Sequence, residues 1–185
     1  MKLPALIIFL VLLFDQWLKF WIKTNMHLGE EIYVAGNWFI IHFTENYGMA
    51  FGLEFAGAYG KLALSIFRIV AVFGIGWYLY RLVKKGVHLS LVIGFSLILA
   101  GALGNIIDSS IYGLIFSESA HQLAQFLPPE GGYAGFLHGK VVDMFYFPII
   151  EGHFPGWFPF WANDDFVFFR PVFNVADSAI TCGVS

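Results

Sequence analysis

The sequence predicts an all-α membrane protein, a bundle of four transmembrane helices carrying a small strand-bearing portion on one side of the bilayer. Three observations lead there. Of 185 residues, 58% are hydrophobic and 12% are charged, about half the charge of an ordinary soluble domain. The apolar residues collect in runs of membrane-spanning length. The chain also holds 22 Phe, 8 Tyr and 6 Trp, too many to hide in one small globular core. The net charge of −3 says little about partners, because the placement of charges matters more than their sum. A single cysteine, Cys182, excludes an internal disulfide or a Cys-x-x-Cys site and reads as a small packing residue.

Leu3 to Ile22 would form a helix about 30 Å long, enough to cross the hydrocarbon core. It is too long for a removable signal peptide, and Asp15 and Lys19 come too late in it. Leu62 to Leu82 and Leu89 to Ile111 supply the second and third spans. Phe173 to Ser185 begins like a fourth but falls short of the roughly 20 residues required, so the reading expects the chain to stop inside a helix. Arg81, Lys84, Lys85 and His88 mark the link between spans two and three as cytoplasmic. The N-terminus then lies inside, and the segments Lys23 to Lys61 and Tyr112 to Pro171 lie outside.

Within the first outer segment, Glu31 to Ala35 and Trp38 to Thr44 are rich in β-branched and aromatic residues. The turn residues Ala35-Gly-Asn37 separate them, the signature of a hairpin. The second outer segment has a breaker at Pro128 to Gly132, a strand expected over Gly139 to Phe147, and an aromatic stretch from Phe154 to Phe169. Those rings suit the headgroup region, where they would anchor an added outer loop lying along the membrane. In span three, Ala100 and Gly104, flanked by Gly101 and Ala102, give the small-residue spacing that lets helices approach closely.

Three aspartates stand out. Asp108 ends one apolar run, Asp177 opens another, and Asp143 sits inside Val141-Val-Asp-Met-Phe145. Carboxylates in or beside membrane spans are costly and are functional candidates by default. Asn105-x-x-Asp108 and Asn174-x-x-Asp177 repeat one arrangement, in which amide and carboxyl share a helix face. Two carboxyls in a dry site share one proton and can act as base and acid. These residues alone do not say whether Asp108 or Asp143 partners Asp177. A polar-glue role between helices and a proton-coupled transporter or channel component stand as the competing readings. Asp15 and Lys19 have ion-pair spacing, which favours a structural pair, and Lys19, near the outer end of its span, can also snorkel to the headgroups. Arg68 lies well inside span two, placed to snorkel or to neutralise an acidic neighbour. In Asn46-Tyr-Gly48, Gly48 permits a tight backbone and Asn46 could bond an extended peptide. No His-Glu-x-x-His, serine-nucleophile or Gly-x-Gly-Asp protease motif occurs.

In order along the chain, Asp15-x-x-x-Lys19, Asn46-x-Gly-x-Ala-Phe51, Gly101-Ala-Leu-Gly-Asn-x-x-Asp108, Val141-Val-Asp143 and Phe173-Asn-x-Ala-Asp-x-x-Ile180 resemble the five motifs of the bacterial signal peptidase II family. The resemblance implies four transmembrane helices with an extracytoplasmic β-cradle in the bacterial inner membrane. It implies an aspartyl endopeptidase that cleaves before a diacylglyceryl-modified cysteine and needs no metal or other cofactor. The dyad it implies is Asp143 and Asp177, supported by Asp108, Asn105, Asn174, Ala176, Asn46, Gly48, Asp15 and Lys19. It further implies a prolipoprotein substrate, membrane lipids as surroundings, no nucleic-acid partner, inhibition by globomycin-type cyclic peptides, and a monomer. Two departures stand out. Ser109 follows Asp108 where the family usually has Arg, which makes Arg68 the expected replacement partner of Asp108. Asp143 and Asp177 also lie farther apart in sequence than is usual, the excess being the aromatic stretch.

Overall fold

The computed structural model describes residues 2–48, 57–148, 150–153, 165–168 and 171–185. Of the aromatic stretch, Phe154 to Trp161 and Phe169 lie outside the described residues, as do Met49 to Phe51 of the second motif.

Helix α1, Lys2–Asn25, buries Asp15, Leu18, Lys19, Ile22 and Lys23. These fall at three- and four-residue intervals, so they form one stripe along the helix. Phe9, Leu13 and Trp17 on the other face are more than half exposed. An apolar exterior around a polar stripe is the inverse of a soluble amphipathic helix, and it suits lipid surroundings. Strands β1, Glu31–Ala35, and β2, Phe39–Asn46, follow as the expected hairpin. Helix α2, Gly57–Lys85, and helix α3, Leu89–Ile107, are joined by a turn at Gly86, whose φ of 64° needs a glycine. The third span does not stop at Ile107. A π-helical turn over Asp108–Tyr112 and a short α4, Gly113–Ile115, carry it on. Three stretches, Lys2–Asn25, Leu62–Lys85 and Leu89–Ile115, are long and apolar enough to cross a membrane. The expected fourth, α5 at Val175–Val184, is a shorter apolar helix of 10 residues.

Strand β3, Val141–Tyr146, pairs antiparallel with β2 on one side and with the two-residue β6, Val172–Phe173, on the other. The resulting sheet runs β1-β2-β3-β6. A separate hairpin of β4, Ile150–His153, and β5, Asp165–Phe168, lies between β3 and β6 in sequence. It holds the part of the aromatic stretch that the structure describes, and the sequence reading expected no strands there. The sheet caps one end of the bundle. Its base packs on that end through Leu18, Ile22, Met26, Phe43, Tyr112, Phe116, Val142 and Met144.

Small residues let α5 lie against α3. A Cβ added at Gly101 would collide with the carbonyl oxygen of Ala176, and one at Gly94 would come within 2.8 Å of the carbonyl of Gly183. Gly101→Val is therefore expected to lower stability by about 1–3 kcal/mol or more, because backbone and not a flexible side chain stands in the way. Thermal unfolding in detergent would register this. Gly74→Ala, with open space around its Cβ position, serves as the neutral comparison.

Candidate active site

The ends of α1, α3 and α5 meet at the sheet end of the bundle, and the aspartates meet with them. The register explains how Asp143 joins. Phe145 pairs with Phe173 across β3 and β6, so the next residue, Asn174, leaves the sheet beside β3 and begins α5. Asn174 is the N-cap of α5 in a capping box. Its Oδ1 accepts from the Asp177 N–H at 2.9 Å, and its own N–H donates to Asp177 Oδ2 at 3.3 Å. The repeated Asn-x-x-Asp spacing thus has a second meaning at this position, as a helix-starting signal.

Two asparagine side chains tie the carboxyls together. Asn174 Nδ2 donates to Asp143 Oδ1 at 2.7 Å and to Asn105 Oδ1 at 3.1 Å. Asn105 Nδ2 donates to Asp177 Oδ1 at 2.8 Å. Asn46 Nδ2 donates to Asp143 Oδ2. Asp143 is buried, and Asp177 is half-buried. Burial first, and the charge of Asp177 second, push the Asp143 carboxyl up to about 7. Between the ordinary carboxylate range and that value, the folded protein holds a proton that the unfolded chain has released. Its contribution to stability is complete below the ordinary carboxylate pKa and is lost as pH rises through about 7. In thermal unfolding between about pH 5 and 8, the parent should lose stability with rising pH where Asp143→Asn does not, so the gap between them narrows.

Beneath the asparagines lies a buried ionic layer. Lys19 is wholly buried, as are Asp15 and Asp108. Its Nζ contacts Asp15 Oδ2 at 2.9 Å, Asp108 Oδ2 at 2.7 Å and Asn105 Oδ1 at 3.1 Å, using all three donors of the ammonium. Lys19 therefore does not snorkel. The expected Arg68–Asp108 pair is also corrected: Lys19 pairs with Asp108, and Arg68 donates to the carbonyl of Gly48 at 2.5 Å. The correction follows from α1 burying its polar stripe against α3, which brings Lys19 closer to Asp108 than the distance-from-surface argument allowed. Ser109, where an Arg was expected, bonds back to the Asn105 carbonyl at 3.0 Å.

The ionic layer also holds backbone. Asp15 Oδ1 accepts from the N–H of Ala176 at 2.9 Å, and Asp108 Oδ2 from the N–H of Val142 at 3.4 Å. Each of those residues immediately precedes an aspartate of the upper layer. Ala176 is fully buried against Gly101 and Gly104, and a larger side chain there would prise α5 from α3.

Sequence reasoning missed several participants. Gln16 Nε2 donates to Asp108 Oδ1 at 2.9 Å and to Asp15 Oδ2 at 3.0 Å, and Tyr112 Oη donates to Gln16 Oε1 at 3.2 Å. Its place beside Asp15 was the available signal. A second buried cluster joins Lys23 to Glu45 and to Ser119 Oγ at 2.8 Å, with Lys140 and Glu118 at its edge, 2.7 Å apart. Lys23 looked like the start of an exposed segment, and nothing local in the sequence marks it as buried.

A helical bundle with membrane-length spans, whose capping sheet and helix ends gather hydrogen-bonded aspartates, fits a membrane-embedded enzyme of the aspartic type. Comparison with known proteins narrows this. Residues 7–185 match the family model described as Peptidase_A8, Signal peptidase (SPase) II. A lipoprotein signal peptidase of Porphyromonas gingivalis is 54% identical over 99% of this chain and 80% of its own length. One from Amoebophilus asiaticus is 40% identical over 95% of this chain and 72% of its own. A solved structure titled as a bacterial membrane enzyme superposes with a TM-score of 0.65 at 26% identity, covering 100% of this chain and 88% of that one. The chain belongs to the signal peptidase II family and is an aspartic peptidase.

Proposed function

We propose that Asp143 and Asp177 are the catalytic dyad with which this peptidase removes signal peptides from prolipoproteins, cutting before a diacylglyceryl-modified cysteine. The activity follows from the family. The observation supporting the dyad is that one side chain, Asn174, bonds Asp143 directly and bonds Asp177 through its cap and through Asn105. The comparisons offer nothing for a transporter or channel.

In this reading Asp143 holds the shared proton, in keeping with its raised pKa. Asp177, the more open of the two, takes a proton from a water lying between them as that water attacks the scissile carbonyl carbon. The proton on Asp143 moves to the developing oxyanion; Asp177 then passes the proton it took to the leaving amine as the C–N bond breaks, and Asp143 regains its proton as the product carbonyl re-forms. Asn46, Asn105 and Asn174 hold both carboxyls in place while charge shifts. Loss of the Asp143 proton should end turnover, so kcat/KM is expected to fall on the alkaline side with a midpoint near about 7.

The substrate enters sideways from the bilayer, since its lipid chains and signal helix are both apolar, and the β1–β2 hairpin grips its extended portion. The site then faces the outer leaflet of the inner membrane and the N-terminus lies in the cytoplasm, in line with the basic Arg81–Lys85 link at the opposite end of α2 and α3. A monomer suffices, since every group in this mechanism comes from one chain. A cyclic peptide of the globomycin type would compete with the substrate for the same carboxyls.

The deciding experiment offers purified protein a diacylglyceryl precursor peptide and the same peptide without lipid. Cleavage before the lipidated cysteine, at a rate far above that for the bare peptide, supports the reading. Equal rates, or cleavage elsewhere, would refute it.

A further inference from the structure

Arg68 is turned inward on a helix whose neighbouring side chains point out. Ile66, Phe67 and Val70 are largely exposed, whereas Arg68 is half-buried and lies in the field of Asp177, Asp108 and Asp143, in that order of strength. Its guanidinium does not close on any of the three. Nη2 instead donates to the carbonyl of Gly48 at 2.5 Å.

Gly48 is suited to receive it. Its φ is 78°, a conformation that favours glycine, and a Cβ there would collide with the guanidinium. The N–H of Gly48 donates to Asn46 Oδ1, and Asn46 Nδ2 donates to Asp143 Oδ2. These bonds form a chain with a direction. An asparagine amide can be turned over, exchanging its oxygen and nitrogen, and only its partners decide which way it faces. With the Gly48 N–H pointing at one end, turning Asn46 over would set donor against donor. The amide must therefore show its N–H to Asp143. Holding the Gly48 carbonyl holds that peptide turn, and so holds the choice.

We propose that Arg68 is a positioning residue for the peptidase reaction, fixing the 46–48 turn so that Asn46 donates to the carboxyl of Asp143. This rests on the dyad reading above. Arg68 comes from a different helix than the arginine usual after the third motif, and it acts through a backbone turn. It gives the chain a cation at the site although Ser109 stands at the usual place.

The test is a double-mutant cycle on the full chain in detergent, with a diacylglyceryl precursor peptide as substrate. Arg68→Met should lower kcat about tenfold, change KM less than about threefold, and move the alkaline limb of the pH profile upward. The limb moves up because Asp143 loses a donor that favours its ionised form. Arg68→Lys, which can still donate to the carbonyl, should recover part of the lost kcat. In an Asn46→Ala background the link is already cut, so adding Arg68→Met should change kcat by less than about threefold. Full additivity in that background, or an unchanged pH profile for Arg68→Met alone, overturns the proposal. Should Arg68→Met fail to insert, Gly48→Ala breaks the same link from the other side and must show the same kcat loss and limb shift. Unaltered kinetics there would equally overturn it. Asp143→Asn, assayed alongside, separates the two levels. Processing by that variant would sink the dyad itself, whereas an inactive Asp143→Asn with additive Arg68 and Asn46 effects sinks only the role given to Arg68.

Discussion

Asp177→Asn should lower the rate of prolipoprotein cleavage by about 10²- to 10⁴-fold, the range a lost general base commands, while leaving the protein folded and inserted. The retained fold is expected from its partners. An asparagine at 177 can keep its oxygen toward Asn105 Nδ2, now at 2.8 Å from Asp177 Oδ1. Its NH2 would then face the longer contact to the Asn174 N–H, 3.3 Å away at a half-buried position. The capping bond from the residue 177 N–H to Asn174 Oδ1 does not involve the side chain at 177 and survives. Asp143→Asn should be equally inactive but also less stable. Both oxygens of Asp143 accept from side-chain amides, of Asn46 and Asn174, so an introduced NH2 must oppose a donor in a buried site, at about 1–3 kcal/mol. Accumulation of uncleaved diacylglyceryl precursor, together with thermal unfolding of both variants, reads out the two effects. Processing at more than a tenth of the parental rate by either variant would contradict the assignment.

Lys19→Met is expected to be the most damaging change to the fold, at about 3–5 kcal/mol, because it leaves two buried carboxylates without their cation. The damage should reach activity through the backbone. Asp15 and Asp108 would reorient, loosening their grip on the N–H groups of Ala176 and Val142, and so moving the residues that follow. Adding Asp108→Asn to Lys19→Met removes one unpaired charge and should restore part of the lost stability but little of the turnover. Thermal unfolding and cleavage rate measured on the same preparations separate the two. A Lys19→Met protein within about 1 kcal/mol of the parent would show that the ionic layer does not hold this end of the bundle together.

Much of this arrangement was legible before any coordinates. The β1–β2 hairpin follows from two runs rich in β-branched and aromatic residues around an Ala-Gly-Asn turn, a local signal. The three long spans follow from composition alone. The small residues of α3 announced a close neighbour, and α5 is that neighbour. What was not legible depends on which face of α1 meets α3. Lys19 looked able to reach the headgroups because distance along a helix says nothing of rotation about its axis. Once the Asp15–Lys19 face turns inward, Lys19 meets Asp108, and Arg68 is left for a different partner. The Lys23–Glu45–Ser119 cluster was hidden for a similar reason, since its members come from three segments far apart in sequence. The π-helical turn over Asp108–Tyr112 had no sequence signature either, and it carries the third span past its last site aspartate. The family motifs singled out residues that the fold brings together, and the geometry supplied the relations among them.

The pairing of Asp143 with Asp177 is open to direct spectroscopic test. Difference infrared spectra of the parent against Asp143→Asn, followed across pH, isolate the carbonyl stretch of a protonated Asp143. That band should titrate away near about 7 in the parent. In Asp177→Asn, where the neighbouring charge is gone, its midpoint should move to lower pH. A band that never appears above the ordinary carboxylate range, or a midpoint that ignores the loss of Asp177, would contradict a shared proton between these two groups.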